Sequence, residues 1–237
     1  MANIYLIRHG QASWGKSNYD ELSELGMKQS KVLGKHWQYM QTPDLCYAGG
    51  LLRHSQTAEA FWQGRGLSMS TSIHEGLNEF DHLDVLKCYN PSWHDQTAFN
   101  AYLKQQDNPS QAFVIEFTQA LKRWANGEYD DYKESFLQFK KRCVKALDDI
   151  KSQALMQKQL TNKNQPKNIM VFTSGGVIAS ICAHYWQLPD RQLMQLNQQL
   201  VNTSVTKIMF NKDKTTVDGV NNYSHLQLFN NEYITRK

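Results

Sequence analysis

The 237-residue chain holds only four cysteines, Cys46, Cys88, Cys143 and Cys182. None sits in a CxxC pair and no His/Cys cluster has zinc-ligand spacing, so neither a disulfide scaffold nor a structural zinc site is expected. Isolated thiols on apolar segments fit a buried, reduced state. No apolar run approaches the roughly 18 residues of a membrane span; the longest, VIASICA at 177–183, has seven. The opening MANIYLIRHG lacks both a basic region and a long apolar stretch, so it does not read as a signal peptide. Five prolines and 13 glycines, beside 41% hydrophobic and 11% aromatic residues, exclude a disordered, collagen-like or low-complexity chain. Nor is there a large charge imbalance, with 26 Lys and Arg against 22 Asp and Glu and a formal net charge of +4. That suits an anionic substrate but is too small and too evenly spread for nucleic-acid binding. The expectation is a soluble, cytoplasmic, globular protein with no nucleic-acid or membrane partner.

What is present is an alternation of short apolar runs and helical stripes. Asn3–Ile7 reads as a buried strand stopping at Arg8-His9-Gly10. Ser23 can cap a helix running to about Met40, with Leu25, Val32, Leu33, Trp37 and Met40 on one face. Leu45–Ala48 is a second strand, followed by Gly49-Gly50 and a helix from about Ser55 to Gln63 that Gly64 and Gly66 stop. Met69–Ile73 is a third strand, and the order βαβαβ predicts a parallel sheet with helices on both faces. Residues 80–160 are helical in character. Phe113, Phe117, Leu121 and Trp124 form one stripe, and Phe136, Phe139, Cys143, Leu147 and Ile150 another. Asn90-Pro91, Asn108-Pro109 and Asn126-Gly127 punctuate them. Lys158–Asn168 is polar and reads as a surface loop. Asn168–Thr173 is a strongly apolar strand leading through Ser174-Gly175-Gly176 into a helix from Val177 to about Trp186. Strands at Ser204–Phe210 and Leu226–Phe229 complete the chain. The expected fold is α/β: a three-layer α/β/α sandwich with a mostly parallel sheet. It forms one domain over 1–237, with a helical insertion at about 80–130 over the active-site end.

Two strand ends carry chemistry. Ligands of open α/β sheets bind beyond the carboxyl ends of strands. Arg8-His9-Gly10 leaves one such end, and Thr173-Ser174-Gly175-Gly176 leaves another and opens a helix, whose N-terminus favours an anion. Arg8 supplies a planar fork suited to phosphate oxygens, and Arg53 follows the Gly49-Gly50 turn. The same residues also fit a purely structural reading. His9 is then a histidine hydrogen-bonded at a turn, Arg8 an ion-pair partner of Asp20 or Glu21, Glu79 an exposed acid, and Gln11 a cap for the turn after it.

Taken together, IYLIRHG at 4–10, YDELSELGMKQ at 19–29, LLRHSQTAEA at 51–60, LNEFDH at 77–82 and MVFTSGGVIAS at 170–180 resemble the histidine phosphatase superfamily, also called phosphoglycerate mutase-like. The matches keep the family's order over about residues 3–229. The helix around Glu134-Ser135-Phe136 and Arg142 resembles the family's return helix. The resemblance implies that His9 attacks phosphorus and becomes phosphohistidine, that Arg8 and Arg53 clamp the phosphate, and that Glu79 gives a proton to the leaving oxygen. Glu79 then needs a raised pKa from partial burial. Ser174, Gly175 and Gln11 would contact the phosphate. The resemblance implies no metal and no cofactor, and as partner a small phosphorylated substrate or inorganic phosphate.

Two features depart from the family. Its second histidine, before the Gly-Gly turn, is Ser174 here, which can donate one neutral hydrogen bond but carries no charge. Its asparagine after the nucleophile has no match in Gln11-Ala12-Ser13-Trp14-Gly15-Lys16, where Gly15 stands at about that place. His54 or His82 could restore a cation, and Ser174→His is expected to raise the rate. The leading expectation is a metal-independent phosphatase of a small phosphate monoester. The alternative is a weakened pseudo-enzyme that binds phosphorylated ligands or a partner, and a third is phosphoglycerate mutase activity. Trp93, Tyr102, Phe113 and Trp124 of the insertion either pack it or line a lid.

Overall fold

The computed structural model describes residues 1–13, 20–161, 167–229 and 231–236. In chain order its elements are β1 (Ala2–Arg8), α1 (Glu24–His36), β2 (Leu45–Ala48), α2 (Leu52–Arg65), β3 (Ser72–Ile73), α3 (His82–Tyr89), α4 (Gln96–Lys104), α5 (Pro109–Asn126), α6 (Phe136–Thr161), β4 (Asn168–Thr173), α7 (Gly175–Trp186), α8 (Asp190–Gln199), β5 (Val205–Phe210), β6 (Thr215–Asn222) and α9 (Ser224–Gln227). The chain divides into two compact units, Met1–Glu79 with Cys143–Lys237, and Phe80–Arg142.

The first unit is built on a six-stranded sheet in the order β3-β2-β4-β1-β5-β6. β3, β2, β4 and β1 run parallel, whereas β5 is antiparallel to β1, and β6 to β5. β1 and β4 lie at the centre, and every residue of β4 is buried. That explains their near-continuous apolar runs, since a strand covered on both faces gains nothing from alternation. On one face Ile7, Cys46, Ala48, Met170 and Phe172 pack against Leu33 of α1, Trp37 just past its end, and Phe61 and Trp62 of α2. Tyr47, between Cys46 and Ala48, points the other way and donates to Gln153 of α6 at 2.6 Å. Helices therefore cover both faces, the expected three-layer α/β fold with a mostly parallel sheet.

Ser23 caps α1 as expected, accepting from the Gly26 N–H at 3.0 Å. The helix stops at His36 rather than near Met40, because Met40 finds no core and stays 49% exposed. α2 runs through Gly64 and ends at Gly66, whose φ of +74° only glycine adopts without strain. α1 and α2 cross closely: a Cβ on Gly34 would collide with the Phe61 carbonyl. The third strand shrinks to Ser72–Ile73, both exposed. α6 continues to Thr161, into the stretch expected to be loop, and 162–166 lie outside the described residues. Leu226–Phe229 is not a strand. Leu226 alone is buried, in the helical turn α9, while Leu228 is 83% exposed. The last strand is instead β6, which the sequence reading missed. No helix among the described residues is long and apolar enough to cross a membrane.

The second unit holds α3, α4, α5 and the start of α6. Asn108 caps α5 through the Gln111 N–H, Pro109 occupies its first turn, and Gly127 ends it at φ +74°. Trp124 is buried with its ring 4.7 Å from Phe80 and 4.9 Å from Phe136. Trp93 is buried against Phe99 and Tyr102, and Phe113 stacks toward Phe117. These aromatics take the packing role.

Candidate active site

Three parallel strands end side by side. Arg8 is in register with Thr173, the His9 N–H donates to the Thr173 carbonyl at 2.8 Å, and the Gly49 N–H to the Phe172 carbonyl at 3.1 Å. The segments after β1, β2 and β4 thus leave one rim of the sheet, where bound anions are expected. His9, Arg53 and Ser174 stand on those segments, and Arg8 is the last residue of β1.

His9 is 6% exposed. Its Nδ1 lies 2.7 Å from the Gly10 carbonyl, which can only accept, so Nδ1 carries the proton and Nε2 keeps its lone pair. Burial first, then the charges of Arg53 and Arg8, hold His9 well below the ordinary histidine range. The imidazole is therefore neutral at neutral pH. Its backbone is also held: the His9 carbonyl accepts from Asn202 Nδ2 at 3.1 Å and from the Thr203 N–H at 3.3 Å. Thr203 sits at φ +61°, an uncommon position for a β-branched residue, costing about 1–3 kcal/mol. Bonds from its N–H to the Arg8 and His9 carbonyls help hold it there.

Both arginines are nearly buried and already engaged by the protein. Arg8 Nη1 donates to the Leu200 carbonyl. Arg53 Nη1 pairs with Asp20 Oδ1 at 2.6 Å, so Asp20, an expected candidate partner of Arg8, serves Arg53. Thr57, one turn further along α2, accepts the Gly10 N–H at 3.0 Å and donates to the Arg53 carbonyl at 2.6 Å. This ties α2 to the loop that carries His9.

At the start of α7, Glu79 Oε2 accepts the Gly176 N–H at 3.0 Å. A Cβ on Gly176 would collide with Glu79 Oε1, so glycine is what admits the carboxylate. A Cβ on Gly175 would meet Asn197 Oδ1, with Arg8 Nε 3.4 Å away. Ser174 is fully buried and its Oγ lies 2.6 Å from His54 Nε2. The His54 ring centroid is 5.8 Å from that of His9. Gln11 Oε1 accepts from Ser23 at 2.8 Å, and the Gln11 N–H donates to Gln29. Among the described residues, no group of three or more His, Cys, Asp or Glu gathers at metal-binding spacing.

The sequence profile of the histidine phosphatase superfamily (branch 1) matches residues 4–223. The chain belongs to the histidine phosphatase superfamily. No curated protein sequence matches it. Solved structures do. A phosphoglycerate mutase from Bacillus anthracis str. Sterne shares 17% identity over 95% of each chain, with a TM-score of 0.65. A phosphoserine phosphatase from Entamoeba histolytica, in complex with 3-phosphoglyceric acid, shares 20% identity over 95% of this chain and 100% of its own, with a TM-score of 0.63. A mycobacterial glucosyl-3-phosphoglycerate phosphatase shares 18% identity over 93% of this chain and 99% of its own, with a TM-score of 0.62. At these identities the likeness is one of fold.

Within this superfamily member, the structure brings Arg8, His9 and Arg53 to one rim and joins Glu79 to the turn that holds Gly175. Two expectations change. His54 does not restore a cation: burial first, and Arg53 next, hold it well below the ordinary range, against an opposing pull from the Gly49 backbone. Nor does Ser174→His promise a faster enzyme, because the buried His54 ring already fills the space against residue 174. His82 opens α3 in the second unit. The place expected for the missing asparagine, at Gly15, lies outside the described residues. Sequence reasoning missed Thr57, which lies within the LLRHSQTAEA match but was given no role, and Asn202 and Thr203, which lie in no quoted motif; all three act through contacts to the backbone that only the folded chain creates.

Proposed function

We propose that this protein is a phosphatase that hydrolyses a small phosphate monoester through a phosphohistidine on His9. The observation that supports this best is the state of His9: neutral, with Nδ1 spent on the Gly10 carbonyl and two guanidinium groups acting on the ring. A neutral, oriented imidazole beside fixed cations is what attack on a phosphorus atom requires. In the first step the Nε2 lone pair forms the N–P bond and the bond to the leaving oxygen breaks. Glu79, held by Oε2 at Gly176, gives that oxygen a proton. In the second step water attacks phosphorus, the N–P bond breaks, and Glu79 takes a proton back. Arg8 and Arg53 balance charge on the phosphoryl oxygens, the part a metal plays elsewhere. Ser174, the Gly175 backbone and Gln11 complete the phosphate contacts.

A second reading has its own observation. Arg53 is paired with Asp20 and position 174 offers no charge, which fits a protein that binds phosphorylated ligands and turns them over slowly. Turnover of an aryl phosphate by the wild type and by His9→Ala separates the two. The phosphatase reading expects His9→Ala to lose at least a thousandfold in rate. Phosphate or vanadate binding with no turnover at all would favour the binding protein.

A further inference from the structure

A cavity of about 550 Å³ opens between α1 and the turns at the end of the chain. Among the described residues it shares no lining side chain with the rim that carries His9. Its volume suits a small organic molecule rather than a water or a lone ion.

One side is a stripe of α1. Lys28, Lys31 and Lys35 recur at i, i+3 and i+7, so they follow one face of the helix over about 10 Å. All three are exposed, and none forms an ion pair among the described residues. No carboxylate is among the described residues that line the cavity. Like charges on neighbouring turns repel one another, and an anion held between them removes that repulsion.

The other side is apolar and fixed in shape. Leu228 and Phe229 line the cavity yet stay 83% and 44% exposed. The Phe229 ring stacks 5.0 Å from that of Tyr233. Gln29 of α1 fastens the Tyr233 segment, its Nε2 donating to the Tyr233 carbonyl at 2.8 Å and to Thr235 Oγ1 at 2.9 Å. His225 is the most buried of the lining residues, and its ring is held by Thr203 Oγ1, 2.9 Å from Nε2.

We propose that this cavity binds a small anionic molecule with an apolar or aromatic body, its acidic group among the α1 lysines and its body against Leu228 and Phe229. Neither half of the surface says this alone. A single exposed ammonium is well solvated, and a lone exposed apolar side chain is ordinary. Here three unpaired cations and two exposed apolar side chains share one preformed cavity of ligand size. A ligand of that kind takes its apolar surface out of water while its charge stays at the solvent edge, beside the ends of the lysine side chains. The site is independent of the phosphatase reading and does not fall with it.

The test uses the intact chain and the probe 1-anilinonaphthalene-8-sulfonate, a sulfonate on an aromatic body, followed by fluorescence and calorimetry. N-phenyl-1-naphthylamine, the same ring system without the sulfonate, is the control. The wild type should bind one equivalent of the sulfonate with a Kd below about 100 µM, and the neutral analogue about tenfold more weakly or worse. Affinity for the sulfonate should fall as salt rises. Lys31→Glu, Lys35→Glu and Leu228→Asp alter exposed side chains, so their melting temperatures should stay near that of the wild type. Each should weaken the sulfonate about fivefold or more. Equal binding of the two probes, or variants that stay within about twofold of the wild type, would overturn the proposal. So would displacement of the probe by orthovanadate, which would put it at the rim beside His9. A wild type that binds no probe also overturns it; if that chain is a dimer that Leu228→Asp splits, the face is a contact between copies instead.

Discussion

His225 shows how one buried side chain sets a pH dependence. Thr203 Oγ1 donates to the Asn202 carbonyl at 2.6 Å, so at 2.9 Å it accepts from His225 Nε2. Burial first, then His36, pushes the His225 pKa from 6.5 down to about 3. Its folded value lies below its unfolded one, so the unfolded chain binds the extra proton and stability falls as pH drops through 6.5. At pH 5 the loss from this group is about 2 kcal/mol; His9 and His54 add losses of the same sign. Urea midpoints at pH 7 and pH 5 should show the drop, and His225→Gln should shrink it by about that amount. An undiminished drop would contradict the assignment. Gly176→Ala makes a separate case. The new methyl meets the far end of the Glu79 side chain, which can swing away. Stability should change by less than about 1 kcal/mol, while kcat falls at least tenfold through the displaced carboxylate. Equal losses in both would show that Glu79 serves only the helix end.

At the scale of elements, the crossing of α1 and α2 controls where Arg53, His54 and Thr57 stand. Alanine in place of Gly34 would favour helix by about 1 kcal/mol. Its Cβ would, however, strike the Phe61 carbonyl, a backbone atom that cannot step aside. Overpacking costs about 1–3 kcal/mol, so Gly34→Ala should destabilise on balance; a raised urea midpoint would show that the helices can separate freely. The elements themselves were unevenly legible. The central strands announced themselves as unbroken apolar runs, and Ser23, Asn108 and Gly127 marked helix ends by their chemistry. The errors fall at the periphery. LQLF is apolar enough to read as a strand, but four residues cannot distinguish a strand from one helical turn. β6, TTVDGVNN, is an edge strand with no buried face, so its sequence carries no periodic signal. α6 outruns its apolar stripe through residues such as Lys151, Gln153, Ala154 and Leu155, which favour helix by their own propensity.

For the whole molecule, the order of motifs along the chain was enough to expect the superfamily, and the profile match over residues 4–223 shows it. Arg8, His9, Arg53 and Glu79 were nameable because they lie in those motifs. Asp20 as the partner of Arg53, and Thr57 as the link from α2 to Gly10, were not, because each contact joins residues more than thirty positions apart. The exchange at position 174 was visible as a loss; the imidazole that meets it from α2 became visible only in three dimensions. The central claim concerns a bond between nitrogen and phosphorus at His9. Rapid quenching in base after mixing with a labelled phosphate monoester tests it most directly. A phosphohistidine gives a base-stable, acid-labile label on the protein, on His9 by peptide mapping, and none on His9→Ala. Turnover without such a label, or a label that survives acid or persists in His9→Ala, would contradict it.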